Sequence, residues 1–105
     1  MTSIQKPVHL SLKPEDHRRL AILCGQLNEN LHCIEKNLAV QINNHGFQFS
    51  IVGSIKNTEQ TCQILKQLYE QTQKCNNLSI EQVQLTIKSH RNRMDKKIEA
   101  ISHPD

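Results

Sequence analysis

Histidine and cysteine are the residues of this 105-residue chain best suited to metal binding or nucleophilic chemistry, and there are six of one and four of the other. His17, Cys24, His32 and Cys33 fall within one stretch and offer the nitrogen and sulfur donors of a zinc site. Their spacing matches no standard zinc pattern, and no Cys-x-x-Cys occurs. Cys24, Cys33, Cys62 and Cys75 are therefore expected to be reduced, three of them as small core residues, in a cytoplasmic protein without a secretory signal. The histidines at 9, 17, 32, 45, 90 and 103 are scattered, the pattern of surface or hydrogen-bonded side chains rather than of a proton relay. No paired carboxylates and no nucleophile beside a base stand out. The glycines are Gly25, Gly46 and Gly53, and none opens the G-x-x-x-x-G-K-[ST] sequence that cradles nucleotide phosphates. The chain is thus expected to be neither an enzyme nor the holder of a cofactor or metal.

A different chemistry is offered by Gly25-Gln26-Leu27-Asn28. Gly permits a tight turn, and Asn is the best substitute for Gly where φ is positive. Backbone N–H groups presented at such a turn before a helix can hold phosphates. The alternative is a structural turn that binds nothing. Glu29 places a negative charge beside it. Arg18, Arg19, Lys13 and Lys36 can supply positive charge nearby, and the net charge of +3 permits an anionic polymer as partner without demanding one.

The elements that would position this turn follow from periodicity. Val8, Leu10 and Leu12 alternate with polar residues, the period of a strand with one buried face. Pro14, followed by Glu15 and Asp16, marks a helix start. Leu20, Leu23, Leu27, Leu31, Ile34 and Leu38 recur at steps of three and four, with a break at Gly25, so two short helices are expected, the second capped by Asn28. A short strand over 39–42, a turn at Asn43-Asn44-His45-Gly46 and a strand through Phe47, Phe49 and Ile51 form a hairpin. Asn57 with Gln60 begins a helix to about Lys74, and Cys75-Asn76-Asn77 breaks it. Ser79 with Gln82 is a second capping pair. Val83, Leu85 and Ile87 also fit strand alternation, but Ile80, Val83, Ile87, Met94, Ile98 and Ile101 fit one helical stripe, so a long helix to about Ile101 is favoured. It carries the basic run from Lys88 to Lys97. No apolar run approaches the ~20 residues a bilayer span requires.

The expected fold is α+β: a βααββα domain with a three-stranded sheet covered by helices on one face, plus the long C-terminal helix. This order is similar to that of a type I KH domain, whose Gly-x-x-Gly loop lies between its first two helices. Gly25 stands at the first glycine and Asn28 at the second, between Cys24 and Leu31 as apolar flanks. The domain division is 1–78 for the KH-like core and 79–105 for the C-terminal helix.

Residues 10 to about 90 resemble the N-terminal domain of PhoH-family ATPases. The likeness is carried by Leu10-Ser11-Leu12, Leu23-Cys24-Gly25, Glu29-Asn30-Leu31, Ile34-Glu35, Phe47-Gln48-Phe49 with Gly53, Ile64-Leu65, Leu68-Tyr69, Ser79-Ile80-Glu81-Gln82-Val83 and Ile87-Lys88. The resemblance implies a KH-like, RNA-binding region ahead of a P-loop ATP-binding domain, a role in RNA metabolism, and work alongside a YbeY-type endoribonuclease. Residues 79–105 would then be the connector to an ATPase domain that this sequence lacks.

Two functions remain open. In the first, the chain binds single-stranded RNA through Gly25, Gln26, Leu27, Asn28, Arg18 and Lys36, weakly and with strong salt dependence, since there are few aromatics for stacking. In the second it is an interaction module, with Ile87, Arg91, Met94, Ile98 and Ile101 on a helix that docks to the ATPase domain, a neighbouring subunit or the endoribonuclease.

Overall fold

The structure, a computed structural model, describes residues 7–74 and 77–90. Its elements are β1 (Val8–Ser11), α1 (His17–Cys24), a 3₁₀ turn (Gln26–Asn28), α2 (Glu29–Leu38), β2 (Gln41–His45), β3 (Gln48–Val52) and α3 (Ile55–Gln71). Residues 80–90 are also helical and are called α4. This is the expected α+β order. The sheet is antiparallel throughout, in the order β1-β3-β2. Val8 pairs with Ile51 on one side of β3, and Ile42 pairs with the same Ile51 on the other.

Alternation divides the sheet into two faces. Leu10, Ile42, Phe49 and Ile51 are buried beneath the helices. His9, Ser11, Gln41, Asn43, His45 and Gln48 are exposed on the opposite face. The helices contribute Leu23, Leu31, Ile34, Leu38, Ile64, Leu65 and Leu68 to one continuous aliphatic core. Leu78, Val83 and Ile87 lie in the same cluster, so α4 turns its apolar side onto the domain that residues 7–74 form.

Several boundaries differ from the sequence reading, each for a local reason. Helix α1 starts at His17, not Pro14, because the Asp16 carboxylate accepts from Arg18 N at 3.0 Å and Arg19 N at 3.4 Å and so serves as the N-cap. Ala39, in the left-handed region at φ 53°, closes α2, so β2 begins at Gln41. The hairpin turns at Gly46-Phe47, two residues later than expected, with His45 opposite Gln48. Asn43 and Asn44 are strand residues, and Phe47 is held in the turn by burial. Helix α3 starts at Ile55 because Ser54 Oγ accepts from Asn57 N at 3.2 Å, which places Asn57 inside the first turn. It ends at Gln71, three residues before Lys74. For α4 the capping pair forms as expected. Ser79 N donates to Gln82 Oε1 at 3.0 Å and Gln82 N donates to Ser79 Oγ at 3.2 Å. The expected break at Cys75 and Asn76, and the helix beyond residue 90, lie outside the described residues.

One polar cluster ties the start of α1 to the end of α3. The Tyr69 hydroxyl donates to the Pro14 carbonyl and accepts from Asp16 N at 3.2 Å. Arg19, only 9% exposed, donates from Nε to Thr72 Oγ1 at 3.0 Å and from Nη2 to the Tyr69 carbonyl at 2.8 Å, with its guanidinium 4.3 Å from the Tyr69 ring centroid. A cation there complements the negative end of the α3 dipole and gains a cation–π contact. Replacing Tyr69→Phe is expected to remove both hydroxyl bonds and lower unfolding free energy by about 1–2 kcal/mol, measured by urea denaturation. Unchanged stability would show that this pin contributes nothing.

Candidate nucleic-acid or partner surface

The expected turn between α1 and α2 is a corner with unusual backbone geometry. Gly25 lies at φ 79°, ψ 177°, a region that is essentially reserved for glycine. Leu27 (φ 54°) and Asn28 (φ 59°) follow in the left-handed region. Asn28 precedes α2 without making a side-chain capping bond, so it does not act as the expected cap. Leu27 points outward and is 94% exposed. A left-handed leucine costs about 1–2 kcal/mol, and its exposure forgoes the return that burial would give.

The corner is enforced from inside by Asn30, which is fully buried. Its Nδ2 lies 3.3 Å from the Ile22 carbonyl, 3.1 Å from that of Leu23 and 3.3 Å from that of Leu78. The amide therefore joins the end of α1, the start of α2 and the approach to α4. Its Oδ1 is buried without a hydrogen-bond partner. A Cβ at Gly25 would stand 2.9 Å from Asn30 Nδ2, so residue 25 must be glycine for space as well as for φ.

Beside the corner runs an open groove of about 1030 Å³, bounded by Gln26 and Leu27 of the turn, His32 and Lys36 of α2, and Ile80 and Gln84 of α4. The floor is supplied partly by Val40 and Gln41 at the start of β2. Glu29 and Glu35 also line it, so its charge is not that of a basic trough. The Glu35 carboxylate accepts from Ile42 N at 2.7 Å, a bond that fastens β2 to α2. No aromatic side chain of the Phe, Tyr or Trp type lines the groove. A second, smaller hollow of about 410 Å³ lies against Gly25, Ile22 and Leu78.

Of the residues singled out in the sequence, Gln26, Leu27 and Lys36 come together in the large groove, while Gly25 borders the smaller one. Arg18 is exposed on α1 and does not line the groove. Arg19 is unavailable for phosphate, because its guanidinium is engaged by Thr72 and Tyr69. Lys13 sits 3.3 Å from Glu15 in an exposed ion pair. Ile87, expected on a face offered to a partner, is 2% exposed and belongs to the core. The apolar stripe gave α4 a buried side without saying what would cover it. Arg91, Met94, Ile98 and Ile101 lie outside the described residues. Asn30 was missed as a structural centre. The signal was available, since it stands four residues before Ile34 and eight before Leu38 on a stripe that is otherwise apolar.

The donors of the zinc reading are not gathered. His17 packs its ring 5.0 Å from that of Phe47, Cys24 is buried, and His32 faces the groove. Among the described residues there is no group of three or more His, Cys, Asp and Glu placed to hold a metal ion. Burial pushes the Cys24 thiol above its ordinary pKa. At Cys33 burial also wins, against hydrogen bonds from Gln84 and Asn37 and the charge of Lys36, and at Cys62 against Lys66. Among the described residues, no helix is long and apolar enough to cross a membrane.

No family model matches the sequence. The fold is similar to that of a crystal structure of a protein of unknown function from Aeropyrum pernix, with a TM-score of 0.62 at 17% identity over 94% of this chain. The match covers 55% of that chain, so the present sequence spans about half the length of its structural neighbour. A likeness at this identity shows the fold alone.

Two outcomes are expected here. Leu27→Asn should raise unfolding free energy by about 0.5–1 kcal/mol, because Asn tolerates the left-handed region, whereas Gly25→Ala should lower it by about 1–3 kcal/mol. Thermal melts of both variants check this, and two shifts of the same sign would contradict it. Alkylation of Cys24 at pH 7 should be far slower than in the unfolded chain. Since its pKa is raised, the thiolate gains population only above the ordinary thiol value of ~8.5. Mass-spectrometric labelling kinetics across that range provide the check, and Cys24 labelling as fast as unfolded chain would count against it.

Proposed function

We propose that this chain is an RNA-contacting module in a protein of the PhoH type, whose separate ATPase domain supplies nucleotide hydrolysis. The carrying observation is Leu27: an almost fully exposed leucine, held left-handed, at the mouth of the groove. A side chain kept in a costly conformation and denied burial is the kind of strain that persists where a surface has a task. In this reading, phosphates meet the backbone amides at the start of α2, with Lys36 as counter-charge, and bases lie over Leu27, Val40 and Ile80. The amides of Gln26, Gln41 and Gln84 offer both donors and acceptors to base edges. The chain itself carries no catalytic step, works in the cytoplasm, and presents RNA to the ATPase or to a YbeY-type endoribonuclease.

A second reading has its own support. Glu29 and Glu35 line the groove and oppose a phosphate chain, which favours a protein segment docking there, from the ATPase domain or a neighbouring subunit.

The distinguishing experiment is an amide NMR titration of the chain with short single-stranded RNA at low salt. Shifts confined to Gly25–Asn30 and the α2 face are expected. They should weaken with added salt, and Lys36→Glu should reduce the log–log salt slope by about 1. No shifts with RNA, but shifts at the same residues on adding a PhoH-type ATPase domain, would replace the first reading with the second. Silence with both ligands would overturn both.

A further inference from the structure

The two edges of the sheet are treated differently. In the β2–β3 hairpin the two-residue turn makes His45 and Gln48 a hydrogen-bonded pair, so the N–H of Ile42 and of Asn44 point away from β3. The outward N–H of Ile42 is already taken by the Glu35 carboxylate at 2.7 Å, which closes part of that edge from within the domain. On the other edge, Leu12 N donates to the Phe47 carbonyl at 3.0 Å, which sets the parity of β1. Leu10 and Leu12 therefore face β3, and the backbone groups of His9 and Ser11 point outward.

This edge is short, four residues flanked by Pro7 and Lys13, but within Val8–Ser11 it carries none of the charges, prolines or bulges that blunt an edge strand. No residue of β1, β2 or β3 is Asp, Glu, Lys or Arg, although 22% of the chain is charged. No bulge interrupts the register of β1 with β3. The exposed sheet face carries instead His9, Ser11, Gln41, Asn43, His45 and Gln48, with Ser50 and Val52 half-buried among them. Every one of these side chains except that of Val52 can both donate and accept a hydrogen bond. Such a face meets a copy of itself without like-charge conflict.

We propose that β1 pairs with β1 of a second copy of this chain, antiparallel about a two-fold axis at Leu10, to make a continuous six-stranded sheet. The register follows from the residues. With His9 opposite the partner copy's Ser11, all four outward donors and all four outward acceptors of the two strands are used. Sliding the pair toward the N-terminus brings in Pro7, which has no N–H, and sliding it the other way brings in Lys13 at the edge. The chosen register also sets half-buried Val8 beside Leu12 of the second copy, covering apolar surface on the helix side of the sheet. An interface of one strand pair is smaller than stable dimers use, so association is weak and concentration-dependent.

Hydrogen exchange of the 105-residue chain, followed by NMR over a concentration series, tests this. The His9 and Ser11 amides should exchange roughly fivefold more slowly at millimolar concentration than when dilute. The Asn44 amide, on the opposite edge, should not change. His9→Pro removes an outward donor without touching the β3 ladder and should abolish the concentration dependence. Ser11→Lys, which leaves the strand's own pairing intact, should do the same and serves if the proline variant does not fold. Exchange at His9 and Ser11 that is independent of concentration would overturn the proposal. So would concentration-dependent protection that survives both substitutions, or protection centred on Asn44.

Discussion

The side-chain amide of Asn30, sealed from water, donates toward the carbonyls of Ile22, Leu23 and Leu78. Those three groups sit at the end of α1 and just before α4, and the two N–H donors of the amide are shared among them. By answering them, one residue fixes where α1 stops and how α4 approaches. The requirement then propagates outward. Because the amide occupies the space beside residue 25, that residue has no room for a Cβ. Gly25 takes an angle only glycine adopts, Leu27 and Asn28 follow it in the left-handed region, and Leu27 is turned to solvent. The most exposed leucine of the surface thus stands three residues from one of the most buried polar groups.

A second tie completes the groove. Glu35 uses its backbone carbonyl to accept from Val40 N at 3.3 Å and its carboxylate to accept from Ile42 N at 2.7 Å. Helix α2 and strand β2 are held at a set distance by one residue, and the groove floor at Val40 and Gln41 follows from that distance. The carboxylate is partly satisfied by this bond, which is a structural reason for an acidic residue to stand beside a surface read as meeting phosphates. Glu29 has no such bond, and it is the residue that keeps a protein ligand in contention.

Most of the architecture was legible because the apolar periods are clean. Alternation around Leu10, Phe49 and Ile51 gave the strands, and steps of three and four from Leu20 to Leu38 gave the helices and their break at Gly25. Boundaries were less legible where several residues could cap. Ser54 and Asn57 are both good N-caps, and a start with Pro14 at the first helical position competes with one capped by Asp16, so tertiary packing selected among them. The hairpin turn moved because Asn43-Asn44 is locally turn-like, while pairing of Ile42 with Ile51 holds both residues in the ladder. The site was half legible. Gly25–Asn28 could be located from residue type, but charge could not be sorted by sequence. Arg18 and Arg19 are neighbours with opposite fates, one exposed and one buried against Tyr69. That difference is a matter of helix phase, since Arg19 precedes buried Leu23 by one turn.

The order of strands in the sheet bears on how the chain is made. Strand β1 pairs with no near neighbour: Val8 meets Ile51, with two helices and a strand between them. The β2–β3 hairpin can close locally, but β1 has no template until β3 exists. During synthesis at about 5–20 residues per second, Leu10 and Leu12 therefore wait roughly 2–8 seconds for their partner strand. Of the three strands β1 is made first, and over that interval its two leucines are without the strand they will pair with.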